Sequence, residues 1–194
     1  EYGKKNYLAN MSPEEQARLQ VELTDAISIT KAVDLVATFN FSYCLIHERE
    51  QLLEYFKHVY ASLNKSGMLI LDLFGGSDSE TLEIQEREID HHEHISPFTF
   101  EFERKSFNPI NRMANYGIHF KFRNGTELND AFTYQFRMWS ITEIRDLFRE
   151  AGFQSSKVYW EASDHEGLGN GEFYATEEEE NCINWNSYIV GIKE

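Results

Sequence analysis

No glycine-rich phosphate or nucleotide loop precedes the first buried strand of this chain, although the α/β pattern around that strand is one that usually carries such a loop. Basic residues are scarce as well. Eighteen Lys and Arg against 33 Asp and Glu give a formal charge of −15. That disfavours nucleic-acid phosphates, which call for a basic surface, and it disfavours anionic membranes. A small molecule or a basic protein is left as substrate. The two cysteines, Cys44 and Cys182, make no disulfide framework. Cys44 follows an apolar strand and is expected as a buried thiol rather than a nucleophile. No apolar run approaches membrane-spanning length and no secretory pattern opens the chain. A cytosolic compartment fits these features best. The first residue, Glu1, stands inside what reads as a helix.

The 194 residues are enough for one domain with a real core. Apolar residues make up 41% and aromatics 14%, the composition of a globular protein. Residues 2–9 read as the end of an amphipathic helix. Ser12, Pro13 and Glu15 mark a helix start, with a Ser cap, Pro in the first turn and Glu three residues on. Residues 19–24 alternate and end at Asp25, which predicts a strand. Residues 33–39 are continuously apolar apart from Asp34 and Thr38, as in a strand buried on both faces. Leu52, Phe56 and Leu63, with Val59 or Tyr60 between, give helix spacing over 48–63. Gly67 suits a left-handed helix cap, and 68–73 read as a second buried strand.

From about Glu86 to Arg137 the pattern turns alternating and aromatic, as in Phe98, Phe100, Phe102 and Phe132, Tyr134, Phe136. Asn124-Gly125 signals a tight turn within it. This predicts an antiparallel insert over 86–137, between α/β parts at 1–85 and 138–194. Ser140 and Glu143 form a capping box ahead of a helix over 141–151. Strands are expected at 156–161 and 187–192, with a glycine-bearing loop (Gly167, Gly169, Gly171) between them.

Several segments carry a resemblance. The Leu63-Asn64-Lys65-Ser66-Gly67 turn and the segment from Trp139 through Ser140, Glu143 and Ala151 to Gly152-Phe153 are similar to the segments before the fifth and sixth strands of class I S-adenosylmethionine-dependent methyltransferases. Asn40-Phe41-Ser42-Tyr43, Asp72-Leu73-Phe74-Gly75-Gly76, Phe107 to Asn111, Ala131 to Tyr134, Arg137 to Trp139 and Val158 to Glu161 resemble a bacterial and plant subgroup of that family. The likeness covers nearly the whole chain. It implies an α/β fold with a Rossmann-like sheet in the order 3-2-1-4-5-7-6 and an antiparallel β insert that forms an acceptor lid. The family's first strand with its glycine loop, and the acidic end of its second, have no counterpart here. The chain therefore reads as a methyltransferase lacking about its first hundred residues, judged against usual domain sizes.

The resemblance implies S-adenosylmethionine as cofactor and a small molecule as methyl acceptor. It leaves a homodimer open. On the cofactor side it points to Asp25, as partner of the adenine amino group, with Ala26, and to Phe39, Asn40 and Phe41. Asn40 could equally hold a substrate amine or carboxylate through paired donor and acceptor groups. Ser42, Tyr43, Asp72, Arg137 and Trp139 would meet the acceptor, Arg137 by clamping a carboxylate. Each has a plainer alternative: a capping role for Asp25 and Asp72, core packing for the phenylalanines, turn hydrogen bonds for Ser42 and Tyr43. Strand alternation separates Tyr134, Phe136 and Met138 from Gln135, Arg137 and Trp139. No catalytic base is identified. Asp90-His91-His92-Glu93-His94 fits no standard metal spacing, and no metal is expected. A nucleotide-dependent Rossmann oxidoreductase and a non-catalytic methyltransferase-like binding domain are the other readings.

Overall fold

A computed structural model describes residues 2–28, 31–90, 96–165 and 167–194. The His91, His92 and His94 run lies outside these. The chain divides into two compact units, Glu1–Lys31 and Ala32–Glu194.

The first unit holds two short helices, α1 (Tyr2–Asn6) and α2 (Pro13–Arg18), and two 3-10 turns, Leu8–Asn10 and Ala26–Ser28. The Ser12 capping box is formed: the Ser12 hydroxyl accepts the Glu15 N–H, and the Glu15 carboxylate accepts the Ser12 N–H at 2.8 Å. The strand expected over 19–24 does not form. Those residues are irregular, with Leu19, Val21 and Leu23 exposed. Alternation alone makes no strand; a ladder partner is needed to satisfy the backbone, and none pairs here among the described residues.

The second unit contains two sheets. A five-stranded sheet runs β1 (Val33–Thr38), β2 (Leu63–Gly75), β9 (Trp185–Ile192), β7 (Ser155–Ser163), β8 (Gly169–Thr176). β1 and β2 are parallel and joined by α3 (Arg49–Ser62), while β9 is antiparallel to both its neighbours. Leu69, Leu71 and Leu73 project from one face of β2 and are fully buried. They meet Leu52, Tyr55, Phe56 and Val59 of α3, and Ile144, Leu147, Phe148 and Ala151 of α4 (Ile141–Ala151). Both sets recur at three- and four-residue steps, the stripe a helix turns toward a core. Phe148 stacks edge-on against Phe56, with centroids 4.9 Å apart. Gly191 permits that closeness, since a Cβ there would stand 2.8 Å from the Phe148 ring.

Three expectations are corrected here. β1 is not buried on both faces: Asp34, Leu35 and Ala37 are exposed, because β2 is its one strand neighbour among the described residues. Gly67 does not cap a helix. α3 ends at Ser62, and its last carbonyls are met from across the sheet by Lys193, whose Nζ donates to Tyr60 O (2.8 Å) and Leu63 O (2.6 Å). Gly67 lies within β2, where a Cβ would crowd Asn64 O at 2.9 Å. The glycine-bearing segment forms an added edge strand, β8, paired antiparallel with β7.

The antiparallel insert is a four-stranded meander, β3 (Ile84–Ile89), β4 (Phe98–Asn108), β5 (Met113–Phe122) and β6 (Glu127–Arg137). Alternation gives it two unlike faces. One carries Phe100, Phe102, Ile118, Tyr134 and Phe136. The other carries a polar network in which the His119 ring lies between Glu103 and Asp130. These three could group around a cation. Lys105 already pairs with both carboxylates, and His119 Nδ1 already accepts the Asp130 N–H at 2.9 Å. The network is satisfied by its own members. α4 begins at the Ser140–Glu143 capping box and stops at Gly152, whose φ of 107° is the left-handed turn glycine favours.

Candidate functional site

A cavity of about 770 Å³ lies between the carboxyl ends of β1 and β2 and the apolar face of the insert. Its wall includes Phe39, Asn40, Phe41 and Ser42 from the segment after β1, Phe74 and Gly75 from β2, Phe100, Phe102 and Arg104 from β4, and Trp160 and Trp185 from β7 and β9. The carboxyl edge of parallel strands is where open α/β sheets hold ligands.

The segment after β1 has an unusual backbone. Asn40 (φ 57°) and Phe41 (φ 54°) are consecutive left-handed residues, and neither is glycine. Such a conformation costs on the order of 1–3 kcal/mol per residue, less for Asn. Asp72 holds it. One carboxylate oxygen accepts the Asn40 N–H at 2.7 Å and the other accepts the Phe41 N–H at 2.9 Å. Both groups turn toward β2, and the Phe41 ring meets Phe74 edge-on at 4.6 Å. Burial lifts the Asp72 carboxyl above its ordinary value, against the downward pull of those two donors. Its observed work is to fix the loop.

The remaining expected site residues divide. Phe39, Asn40, Phe41 and Ser42 are brought together on the cavity wall. Tyr43 is not: its ring is 1% exposed in the core, and burial raises its hydroxyl well above the usual phenol range. Cys44 beside it is buried, its thiol pushed up to about 12 by burial, as befits an inert thiol. Arg137 and Trp139 stand together outside the cavity wall. The guanidinium lies 3.7 Å from the Trp139 ring centroid and donates to His47 O at 2.8 Å, tying the exit of β6 to the entrance of α3. Alternation set Arg137 and Trp139 on one face and Tyr134 on the other, and of the three Tyr134 alone lines the cavity. Asp25 and Ala26 belong to the first unit, where the Asp25 carboxylate accepts the Ile27 N–H at 3.1 Å and both residues are exposed.

Sequence reasoning missed Arg104, Glu161, Trp160 and Trp185. Arg104 had a readable signal. It occupies the next same-face position after Phe98, Phe100 and Phe102, a cation at the end of an apolar row. Trp160 and Trp185 stack with centroids 4.8 Å apart, a contact between β7 and β9 that no local pattern announces. Glu161 accepts from Asn186 Nδ2 (2.8 Å) and the Gly171 N–H (3.0 Å).

The order β1-β2-β9-β7, with β9 antiparallel between its neighbours, matches strands four, five, seven and six of the sheet that the resemblance implied. The fold is that of class I S-adenosylmethionine-dependent methyltransferases. Among solved structures, an S-adenosylmethionine-dependent methyltransferase from Clostridium acetobutylicum aligns with a TM-score of 0.55 at 17% identity, over 89% of this chain and 64% of that one. The amino pentose methyltransferase CalS10 from Micromonospora echinaspora, solved with S-adenosylmethionine bound, gives 0.58 at 11% identity, over 88% and 63%. DesVI from Streptomyces venezuelae gives 0.59 at 10%, over 88% and 64%. The chain thus spans somewhat less than two thirds of each of these structures. No protein-family profile and no curated protein matches the sequence.

Proposed function

We propose that this chain carries the methyl-transfer and acceptor-binding side of an S-adenosylmethionine-dependent methyltransferase acting on a small molecule. The observation that supports this most is the aromatic cavity at the carboxyl edge of β1 and β2, walled on its far side by the insert. When bound, the cofactor supplies an electrophilic methyl group on a sulfonium. The residues fit it in one respect that the structure displays: Phe39 and Phe41 offer ring surfaces at the sheet edge, and aromatic faces favour cations. Asn40, with its amide side chain, and Ser42 are the polar groups beside them.

Methyl transfer by in-line displacement needs alignment more than a protein nucleophile. The chain meets that need with rigidity. Asp72 fixes the Asn40–Phe41 turn, and the apolar face of the insert walls the acceptor side. The insert over 86–137 is then the acceptor lid, and residues 1–85 and 138–194 are the methyltransferase parts. That CalS10 is an amino pentose methyltransferase is in keeping with a small acceptor. Free thiols at Cys44 and Cys182 are in keeping with a reducing, cytosolic setting. Photolabelling the full-length gene product with S-adenosyl-[methyl-³H]methionine tests the placement. Label is expected in the peptide containing Phe39 to Tyr43 and suppressed by S-adenosylhomocysteine. Label confined to other peptides contradicts it.

A further inference from the structure

Arg104 is 92% buried, one of the most enclosed charged side chains of the described residues, and it lines the cavity. Strand alternation carries it on the same face of β4 as Phe100 and Phe102, which line the same space. Its partners are few. Nη1 donates to the half-exposed carboxylate of Glu83 at 2.8 Å, and Nε is buried with no hydrogen-bond partner. A buried charged donor without an acceptor is costly, of order 1–3 kcal/mol or more. Such a group is retained where something else completes it. The cavity's own carboxylate does not: Glu161 is engaged by Asn186 and the Gly171 backbone. Around Arg104 the wall is aromatic, with Phe102 stacked on Tyr116 at 5.1 Å and Tyr134 beside Phe136 at 5.5 Å.

We propose that Arg104 anchors the acceptor through a carboxylate, and that the acceptor is therefore a carboxylic acid with a flat apolar body. A guanidinium on the cavity wall offers its N–H groups as a planar fork, the geometry a carboxylate takes in two hydrogen bonds. The flanking rings take the apolar body. Glu83 occupies Nη1 and competes for the charge of the guanidinium. The inference rests on the methyltransferase reading only for the word acceptor; carboxylate binding at Arg104 stands or falls by itself.

The probes are 3-phenylpropionate and its neutral amide, 3-phenylpropionamide, titrated into the ¹⁵N-labelled protein. The indole N–H signals of Trp160 and Trp185 report on this cavity, and that of Trp139 serves as the reference outside its wall. The carboxylate should bind at least about tenfold more tightly than the amide, the worth of one charge-assisted hydrogen bond. Arg104→Gln should erase that preference while keeping the thermal transition. Arg104→Lys should retain part of it, since charge survives and the fork does not. Glu83→Gln removes the competing carboxylate and should tighten binding a few-fold. Equal binding of carboxylate and amide overturns the proposal. So does a Glu83→Gln variant that loses the preference as Arg104→Gln does, because Arg104 would then serve only its ion pair. A parallel titration with S-adenosylhomocysteine separates the two readings: its failure strikes the methyltransferase assignment, and loss of carboxylate preference strikes Arg104.

Discussion

Replacing Asp72 by Ala removes the two acceptors that hold Asn40 and Phe41 in left-handed conformation. The Asn40 N–H lies at an exposed position, so water replaces its partner and the loss is about 1 kcal/mol. The Phe41 N–H is partly buried, and losing a charged acceptor there costs about 1.5–3 kcal/mol. Removing a half-buried charge returns part of this, giving a net loss of about 2–3 kcal/mol. For a domain of this size that lowers Tm by roughly 5–10 °C. The damage should be local first. Amide exchange at Asn40 and Phe41 should accelerate by about 30- to 150-fold, the same free energy read at two protons. The dependence on pH has a definite sign. Because burial raises the Asp72 carboxyl, its contribution to stability is full below the ordinary carboxylate range and declines as pH rises through the raised value. The stability gap between wild type and Asp72→Ala should thus be wider near about pH 4 than near about pH 7. A variant within about 0.5 kcal/mol of wild type, with unchanged exchange at both amides, would refute the claim that Asp72 holds the turn.

Three further outcomes follow from the packing. Gly75→Ala would set a Cβ 2.2 Å from the Trp185 ring, so Trp185 must move; a loss of about 1–3 kcal/mol and a changed tryptophan emission are expected in a denaturant titration. Phe148→Ala empties the point where α3, α4 and β9 meet and should cost about 3–5 kcal/mol by urea unfolding, since that ring is fully buried. Cys44, buried and with its thiol raised to about 12, should resist iodoacetamide in the native protein and react once it is unfolded, as peptide mass mapping can show.

Much of the second unit was legible because its signals are local. The Ser140–Glu143 box set the start of α4, Gly152 its end, and period-3.6 apolar spacing marked α3. Period-2 aromatics marked the insert. What was not legible depends on contacts distant in sequence. Residues 19–24 carry the alternation of a strand, yet no strand among the described residues pairs with them. Gly67 has the chemistry of a helix cap, but Lys193, 130 residues beyond Leu63, meets the end of α3. Of the site, the turn at Asn40 to Ser42 was readable from its place after a strand. The cation of the cavity was half readable: the aromatic row of β4 carries Arg104 at its end, but only contacts distant in sequence show that Arg137 rests on Trp139 while Arg104 lines the cavity.

The assignment to methyl transfer is tested most directly by isothermal titration of the full-length gene product with S-adenosylhomocysteine. Saturable binding at one site per chain, weakened at least about tenfold when Phe41 is replaced by Ala, is the result expected if the β1 edge meets the cofactor. Absence of any binding heat from a folded full-length protein would contradict it.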